Sequence, residues 1–177
     1  MITKQSLIIF LIAFIPLVAC TQNTPINKPS TLNPAFDAKI ESLLSFDVPL
    51  ISVAELKQKE KGYILLDARE LEEFETSHIA GAKYIGYNKF NKKNLAEIPK
   101  DQEVILYCSI GYRSEKIGNK LQKMGFTKVY NLYGSIFEWV NQGNPVVDKN
   151  GEPTNIVHGY NKNWSQWIDG TKAKKTW

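Results

Sequence analysis

The run Tyr107-Cys108-Ser109-Ile110-Gly111-Tyr112-Arg113-Ser114 joins an apolar stretch, Val104-Ile105-Leu106-Tyr107, to a segment with helical spacing. A thiol therefore stands at the exit of an expected strand, one loop before an expected helix. Amides at a helix N-terminus point into the preceding loop and carry partial positive charge, which favours anions and favours thiolate over thiol. Arg113 adds a full positive charge five residues beyond Cys108, so the thiol pKa is expected to lie below the free value of about 8.5. Gly111 allows backbone angles that turn successive amides inward. The pattern marks Cys108 as a candidate nucleophile; the alternative is a small buried apolar residue closing a strand, and one cysteine alone does not separate the two.

The neighbouring pattern says what must position that loop. Ile64-Leu65-Leu66 and Val104-Ile105-Leu106 are apolar on both faces, and such runs separated by helical segments predict a parallel sheet covered on both sides. In open sheets of this kind, sites lie beyond the carboxyl ends of the strands, which is where Cys108 falls. Ser52 followed by Glu55 is a capping-box pattern, so a short helix is expected from Val53 to Lys59, feeding a strand from Tyr63 to Leu66. Further on, a helix is expected from Leu71 to Thr76, a short strand from Lys83 to Gly86, and an exposed basic loop at Lys89, Lys92 and Lys93. Ile117, Leu121 and Met124 set a helix from Ser114 to Lys123, with Gly125 as its stop. A last strand, Val129 to Leu132, precedes a helix from Ile136 to Asn141 that turns Phe137, Trp139 and Val140 inward. Upstream, Pro34 opens a helix carrying Phe36, Ile40, Leu43 and Leu44 on one stripe.

Cys108-Ser-Ile-Gly-Tyr-Arg113-Ser114 resembles the active-site loop of the rhodanese (sulfurtransferase) family, C-x-x-G-x-R-S. Three more stretches in the right order resemble it too: Leu65-Leu66-Asp67-Ala68-Arg69, the D-x-R strand end; Glu73-Phe74 with His78-Ile79-Ala80-Gly81-Ala82, the E-F…G-H-I-x-G-A segment; and Met124-Gly125-Phe126 with Val129 to Leu132, Gly134 and Trp139, the close of the domain. Together they cover residues 50–145. The resemblance implies an α/β fold: one rhodanese-like domain, a doubly wound, mainly parallel sheet of about five strands with helices on both faces. It also implies Cys108 as catalytic nucleophile, Ser109, Ile110, Gly111, Tyr112, Arg113 and Ser114 as the substrate-binding loop, and Asp67 and Arg69 as supporting residues that orient the loop or its neighbours. Three positions depart from the family pattern. Ser77 stands where Gly usually precedes the His and Ser135 where a second Gly precedes the Trp, both touching packing; Ser109 replaces a frequent Arg or Gln, touching substrate choice.

In 177 residues, 43% hydrophobic and 23% charged, there is room for one sizeable core. Lys4 followed by the apolar run Leu7 to Val18 is a secretory signal, too short for a comfortable membrane span, so residues 1–19 are set apart. Leu17-Val18-Ala19-Cys20 resembles the bacterial lipobox, which implies lipidation of Cys20 and a membrane anchor. Thr21 after it is not the Asp that resembles an inner-membrane retention signal, so the expected location is a cell-envelope lipoprotein, periplasmic or extracellular, on the outer membrane where the source has two. Cys108 is then the only free thiol and no disulfide forms within the chain. Removing Lys4 leaves 21 of 22 basic residues against 18 acidic ones, net +3, too mild a balance to imply nucleic acid. Residues 20–33, rich in Thr, Asn and Pro, suggest a flexible tether; 34–49 is the flanking helix region. The tail, 146–177, holds Tyr160, Trp164, Trp167, Trp177 and His158; its aromatics either cover an apolar patch on the domain or form a partner surface or lid at the site.

The resemblance implies a covalent two-step scheme in which the Cys108 thiolate takes the outer sulfur of a thiosulfate-like or persulfide donor and passes it to a thiol or other thiophile. No metal or cofactor is expected, since His78 and His158 are isolated from any ligand-spaced partner, and His78 is read as structural. A cysteine phosphatase or arsenate reductase is similar in fold but uses C-x-x-x-x-x-R; the four residues between Cys108 and Arg113 leave less room for a tetrahedral oxyanion. A non-enzymatic binding or redox-sensing module at the envelope is the remaining alternative.

Overall fold

The structure, a computed structural model, describes residues 28–177. The expectations for the signal segment, for Cys20 and for tether residues 20–27 lie outside the described residues.

Five strands form one sheet: β1 (Leu50–Ile51), β2 (Tyr63–Asp67), β3 (Lys83–Tyr84), β4 (Glu103–Tyr107) and β5 (Lys128–Leu132), in the spatial order β1-β5-β4-β2-β3. Every pairing in it is parallel, and β2 and β4 lie at its centre, in register from Tyr63↔Glu103 to Asp67↔Tyr107. The mainly parallel sheet expected is present because the strand residues are apolar on both faces. Leu65, Ile105 and Tyr107 face one layer with Phe36 and Ile40 of α1 (Pro34–Glu41), Val53 and Leu56 of α2 (Val53–Gln58), and Ile136, Phe137 and Val140 of α5 (Ser135–Asn141). Leu66, Val104 and Leu106 face the other, with Ile117 and Leu121 of α4 (Tyr112–Lys123). Each such side chain taken fully out of water contributes about 1.5–3 kcal/mol. The remaining helix of the sheet domain, α3 (Leu71–Thr76), buries an acid, Glu73.

Local chemistry sets the element ends. The Ser52 and Glu55 capping box is formed in both directions, although α2 stops at Gln58. β3 is shorter than expected because the amides of Ile85 and Gly86 turn back to the Asp67 carbonyl, at 3.0 and 3.3 Å. α4 begins at Tyr112, two residues earlier than the apolar spacing suggests, because Gly111 takes φ +119° and caps it. Within the stretch expected as a basic loop, Lys92–Leu95 forms a 3-10 turn capped by the Asn91 side chain. Trp139 is half-buried rather than inward, its indole N–H donating to the Pro145 carbonyl at 2.8 Å. The tether reading does not hold for residues 31–32: the Thr31 amide donates to Asp37 at 2.7 Å and the Leu32 amide to Glu138 at 3.0 Å, which ties the segment to the domain.

The tail is folded onto the domain. β6 (Val146–Val147) pairs antiparallel with β7 (Pro153–Thr154), β8 (Ile156–His158) pairs parallel with β9 (Lys174–Thr176), and α6 (Lys162–Ser165) lies between them in sequence. Val157, Ile168 and Ala173 join the core below the sheet. Trp167 stacks on Phe36 with ring centroids 5.4 Å apart, and the Asn141 side chain holds both the Trp167 carbonyl (2.9 Å) and the Asp169 amide (2.8 Å). Covering an apolar patch is therefore one role of the tail aromatics, taken by Trp167 and in part by Trp164.

Candidate active site

Cys108 follows β4 directly, at the carboxyl edge of the central strand pair, and its loop is held by the starts of two helices. The amides of Ile136 and Phe137, at the start of α5, donate to the carbonyls of Cys108 and Ser109, each at 3.2 Å. The Cys108 amide donates to the Ser135 hydroxyl at 3.1 Å. On the α4 side, the Gly111 amide donates to the Cys108 sulfur at 3.2 Å. That contact needs the left-handed backbone of Gly111, which a residue with a Cβ adopts only at a cost. Asn131 of β5 pins the same turn: its amide nitrogen donates to the Gly111 carbonyl at 3.0 Å, while its oxygen accepts from the Ser114 hydroxyl at 2.7 Å.

The thiol titrates below its ordinary range in this setting. Burial pushes it up, since Cys108 is 1% exposed. The Arg113 charge and hydrogen bonds from Ser114 and the Gly111 amide outweigh that and hold it down. Arg113 itself spans a deeper acid. Its two terminal nitrogens donate to the two oxygens of Glu73 at 2.6 and 2.7 Å, and one of them also to the Ser109 hydroxyl at 2.9 Å. Glu73 is 2% exposed and accepts in addition from the Glu70 amide at 2.9 Å. Burial works against its ionisation, but the bond and charge of Arg113, followed by the charge of Arg69, keep its carboxyl below the usual range. Burial likewise opposes the charge on Arg113, and Glu73 with the Cys108 sulfur more than restores it.

Of the residues the sequence nominates, Cys108, Ser109, Ile110, Tyr112 and Arg113 line one cavity of about 350 Å³, while Gly111 and Ser114 shape its floor through backbone and hydrogen bonds. Asp67 and Arg69 are not hydrogen-bonded to the loop. They form a fully buried ion pair, 2.6 Å at its shortest, and Arg69 also donates to the Ser77 carbonyl at 2.6 Å, which fixes the turn after α3. Their support is indirect, through the helix that carries Glu73. His78 is structural: its Nδ1 donates to the Phe74 carbonyl at 3.0 Å, its ring lies 3.9 Å from that of Phe74, and its backbone bridges to Val147.

Sequence reasoning gave no site role to Glu73, Asn131 and Ser135, and named Tyr160 and Trp164 only as tail aromatics that either cover an apolar patch or stand at the site. Glu73 was visible within a motif but had no stated role, because an acid forty residues from Arg113 meets it only once β2 and β4 are paired. Ser135 was visible as a departure; its hydroxyl accepts the Cys108 amide, a role a glycine could not fill. Tyr160 and Trp164 reach the cavity from the tail, Tyr160 with its ring centroid 5.1 Å from the Arg113 guanidinium carbon.

Comparison with known proteins agrees with this architecture. A parallel α/β domain with a cysteine loop at the carboxyl end of its central strand is the class defined here, and the rhodanese-like domain model matches residues 52–142, just over half the chain. This protein belongs to the rhodanese-like domain family. It is 34% identical over 95 residues to a putative sulfur carrier protein, YrkF, of Bacillus subtilis, which covers 52% of this chain and 51% of that one. It is 40% identical over 57 residues to a sulfurtransferase of Allochromatium vinosum, 32% of this chain and 53% of that one. Among solved structures, the BH2092 protein of Bacillus halodurans superposes with a TM-score of 0.53 at 27% identity, covering 67% of this chain and 89% of that one. The chain spans about half the length of the curated relatives it matches.

Proposed function

We propose that the protein is a sulfurtransferase that carries a sulfane sulfur as a persulfide on Cys108, taking it from a thiosulfate-like or persulfide donor and giving it to a thiol or other thiophile. The family membership and its members named sulfurtransferase support sulfur transfer in general. The observation that carries the reading is the depressed thiol at the cavity floor with the Gly111 amide 3.2 Å from its sulfur. In the first step the thiolate attacks the outer sulfur of the donor, an S–S bond forms to Cys108, and the donor's inner sulfur leaves with the bonding pair. In the second, an acceptor thiolate attacks the terminal sulfur and restores the Cys108 thiolate. The loop amides that stabilise the thiolate are placed to stabilise the persulfide anion as well.

The test is intact mass of the protein after incubation with a sulfane donor, followed by cyanide. One added sulfur, released as thiocyanate and absent from Cys108→Ser, is the expected result. If no donor adds sulfur while a protein partner still binds Cys108→Ser, the domain is a binding module. We further propose that the activity resides at the cell envelope through lipidated Cys20, a reading supported by the residues from Lys4 to Cys20; a Cys20→Ala variant that stays in the membrane fraction would overturn it.

A further inference from the structure

The walls of the Cys108 cavity are apolar and aromatic, and part of them comes from outside the family domain. Leu43 precedes residue 52; Tyr160 and Trp164 follow residue 142. These additions are rigidly mounted. Trp164 packs against the core and carries the Lys39 ammonium 5.4 Å above its ring, while the Asn161 side chain caps α6 by accepting the Trp164 amide at 3.0 Å. Tyr160 takes φ +65°, a conformation costly for a residue with a Cβ, and is held there while its ring remains half exposed over Arg113. The strain holds a large aromatic ring over Arg113, at the cavity that opens on Cys108.

The charge around the sulfur points the same way. The guanidinium of Arg113, the one cation among the lining residues, is already paired through two bonds to Glu73, and an acid, Glu70, lines the cavity. Among the lining residues a small dianion meets no cation that is not already paired, whereas an organic body meets Leu43, Tyr87, Tyr112, Tyr160 and Trp164. We infer that the flanking segments form a specificity wall, with Tyr160 and Trp164 selecting sulfur donors that carry an apolar or aromatic body over inorganic thiosulfate. This rests on the sulfur-transfer reading above. For an organic persulfide, R–S–SH, the Cys108 thiolate bonds to the terminal sulfur, the R–S bond partner leaves as R–S⁻ with the pair of the broken S–S bond, and no outside oxidant is needed.

Three sulfane donors separate body from charge: thiosulfate, methanethiosulfonate and benzenethiosulfonate. In the last two the thiolate takes the terminal sulfur and a sulfinate leaves with the bonding pair. Single-turnover loading of Cys108 in the full chain, each rate divided by that of a small free thiolate with the same donor, is expected to favour benzenethiosulfonate over methanethiosulfonate at least about fivefold. Thiosulfate is expected to be the slowest. Tyr160→Gly, which removes the ring and relieves the backbone, is expected to lower the benzene-to-methane ratio about fivefold without lowering the melting temperature, and Tyr160→Phe to retain it. Loading that is as fast with thiosulfate, or a ratio unmoved in Tyr160→Gly, overturns the wall while leaving sulfur transfer standing. Failure of all three donors to load Cys108 overturns both.

Discussion

Arg113 does more for the loop than its charge alone suggests. Its fork is taken up by Glu73 and Ser109, so its role toward Cys108 is that of a fixed positive charge beside a buried sulfur. Arg113→Ala is expected to raise the Cys108 pKa, because the largest stabilising influence on the thiolate is lost and burial is left opposed only by hydrogen bonds. Arg113→Lys keeps the charge but not the two parallel bonds, so it should hold the pKa low while loosening the loop; the pH dependence of alkylation reads the one and thermal melting the other. Glu73 is the sharper probe of stability. Removing one partner of a pair this buried costs about 3–5 kcal/mol, whereas replacing both by apolar residues costs much less. A double-mutant cycle of Glu73→Leu with Arg113→Met should therefore show a coupling of at least about 3 kcal/mol by denaturant unfolding. The pH signs follow from the directions. Glu73, held low in the fold, contributes stability above the ordinary carboxylate range that is lost as the pH falls through its folded value. Cys108, also held low, contributes stability that is complete only above the ordinary thiol range and is lost as the pH falls through its own depressed value.

At the scale of elements, the site depends on where two helices begin. Gly111 starts α4 in a left-handed turn and aims an amide at the sulfur, while the first amides of α5 hold the carbonyls of the Cys108 loop. Gly111→Ala is expected to cost about 1–2 kcal/mol and to slow Cys108 alkylation at neutral pH, since forcing the turn back to ordinary angles withdraws that amide. Ser114→Ala leaves the Asn131 oxygen without its 2.7 Å donor; it should cost about 1 kcal/mol by denaturant unfolding. What could be read from the sequence follows the same division. The two apolar runs fixed the central strands, the Ser52 to Glu55 pattern fixed α2, and the Cys108 to Ser114 spacing marked the loop, because each signal is local. The partners Glu73, Asn131 and Ser135 were not legible as partners, because their contacts exist only after three separate strands are placed side by side. The start of α4 was misplaced by two residues for a related reason: a helix begun by a glycine at positive φ carries no Ser, Thr, Asp or Asn cap to announce it.

Taken whole, the molecule is a family domain clasped by its own two flanks. α1 lies under the tail, Trp167 stacks on Phe36, and the same flanks deliver Leu43, Tyr160 and Trp164 to the cavity, so the mouth of the site depends on long-range packing. The tail is the least readable part of the sequence because its aromatics lack periodicity; only the fold shows that Trp167 covers the core, Tyr160 lines the cavity and Trp164 does both. Trp167→Ala should cost about 2 kcal/mol, less than a fully buried aromatic because Trp167 is only partly buried, and in partial denaturant the tail should show amide exchange before the sheet does. The central claim is that the folded loop keeps Cys108 as a thiolate ready to accept sulfur. The measurement that tests it most directly is the rate of single-turnover persulfide formation on Cys108 as a function of pH. The account predicts a rate that rises through one ionisation below the free-cysteine value of about 8.5 and is level above it; a rate that keeps climbing through that value, or no sulfur on Cys108 at any pH, would contradict it.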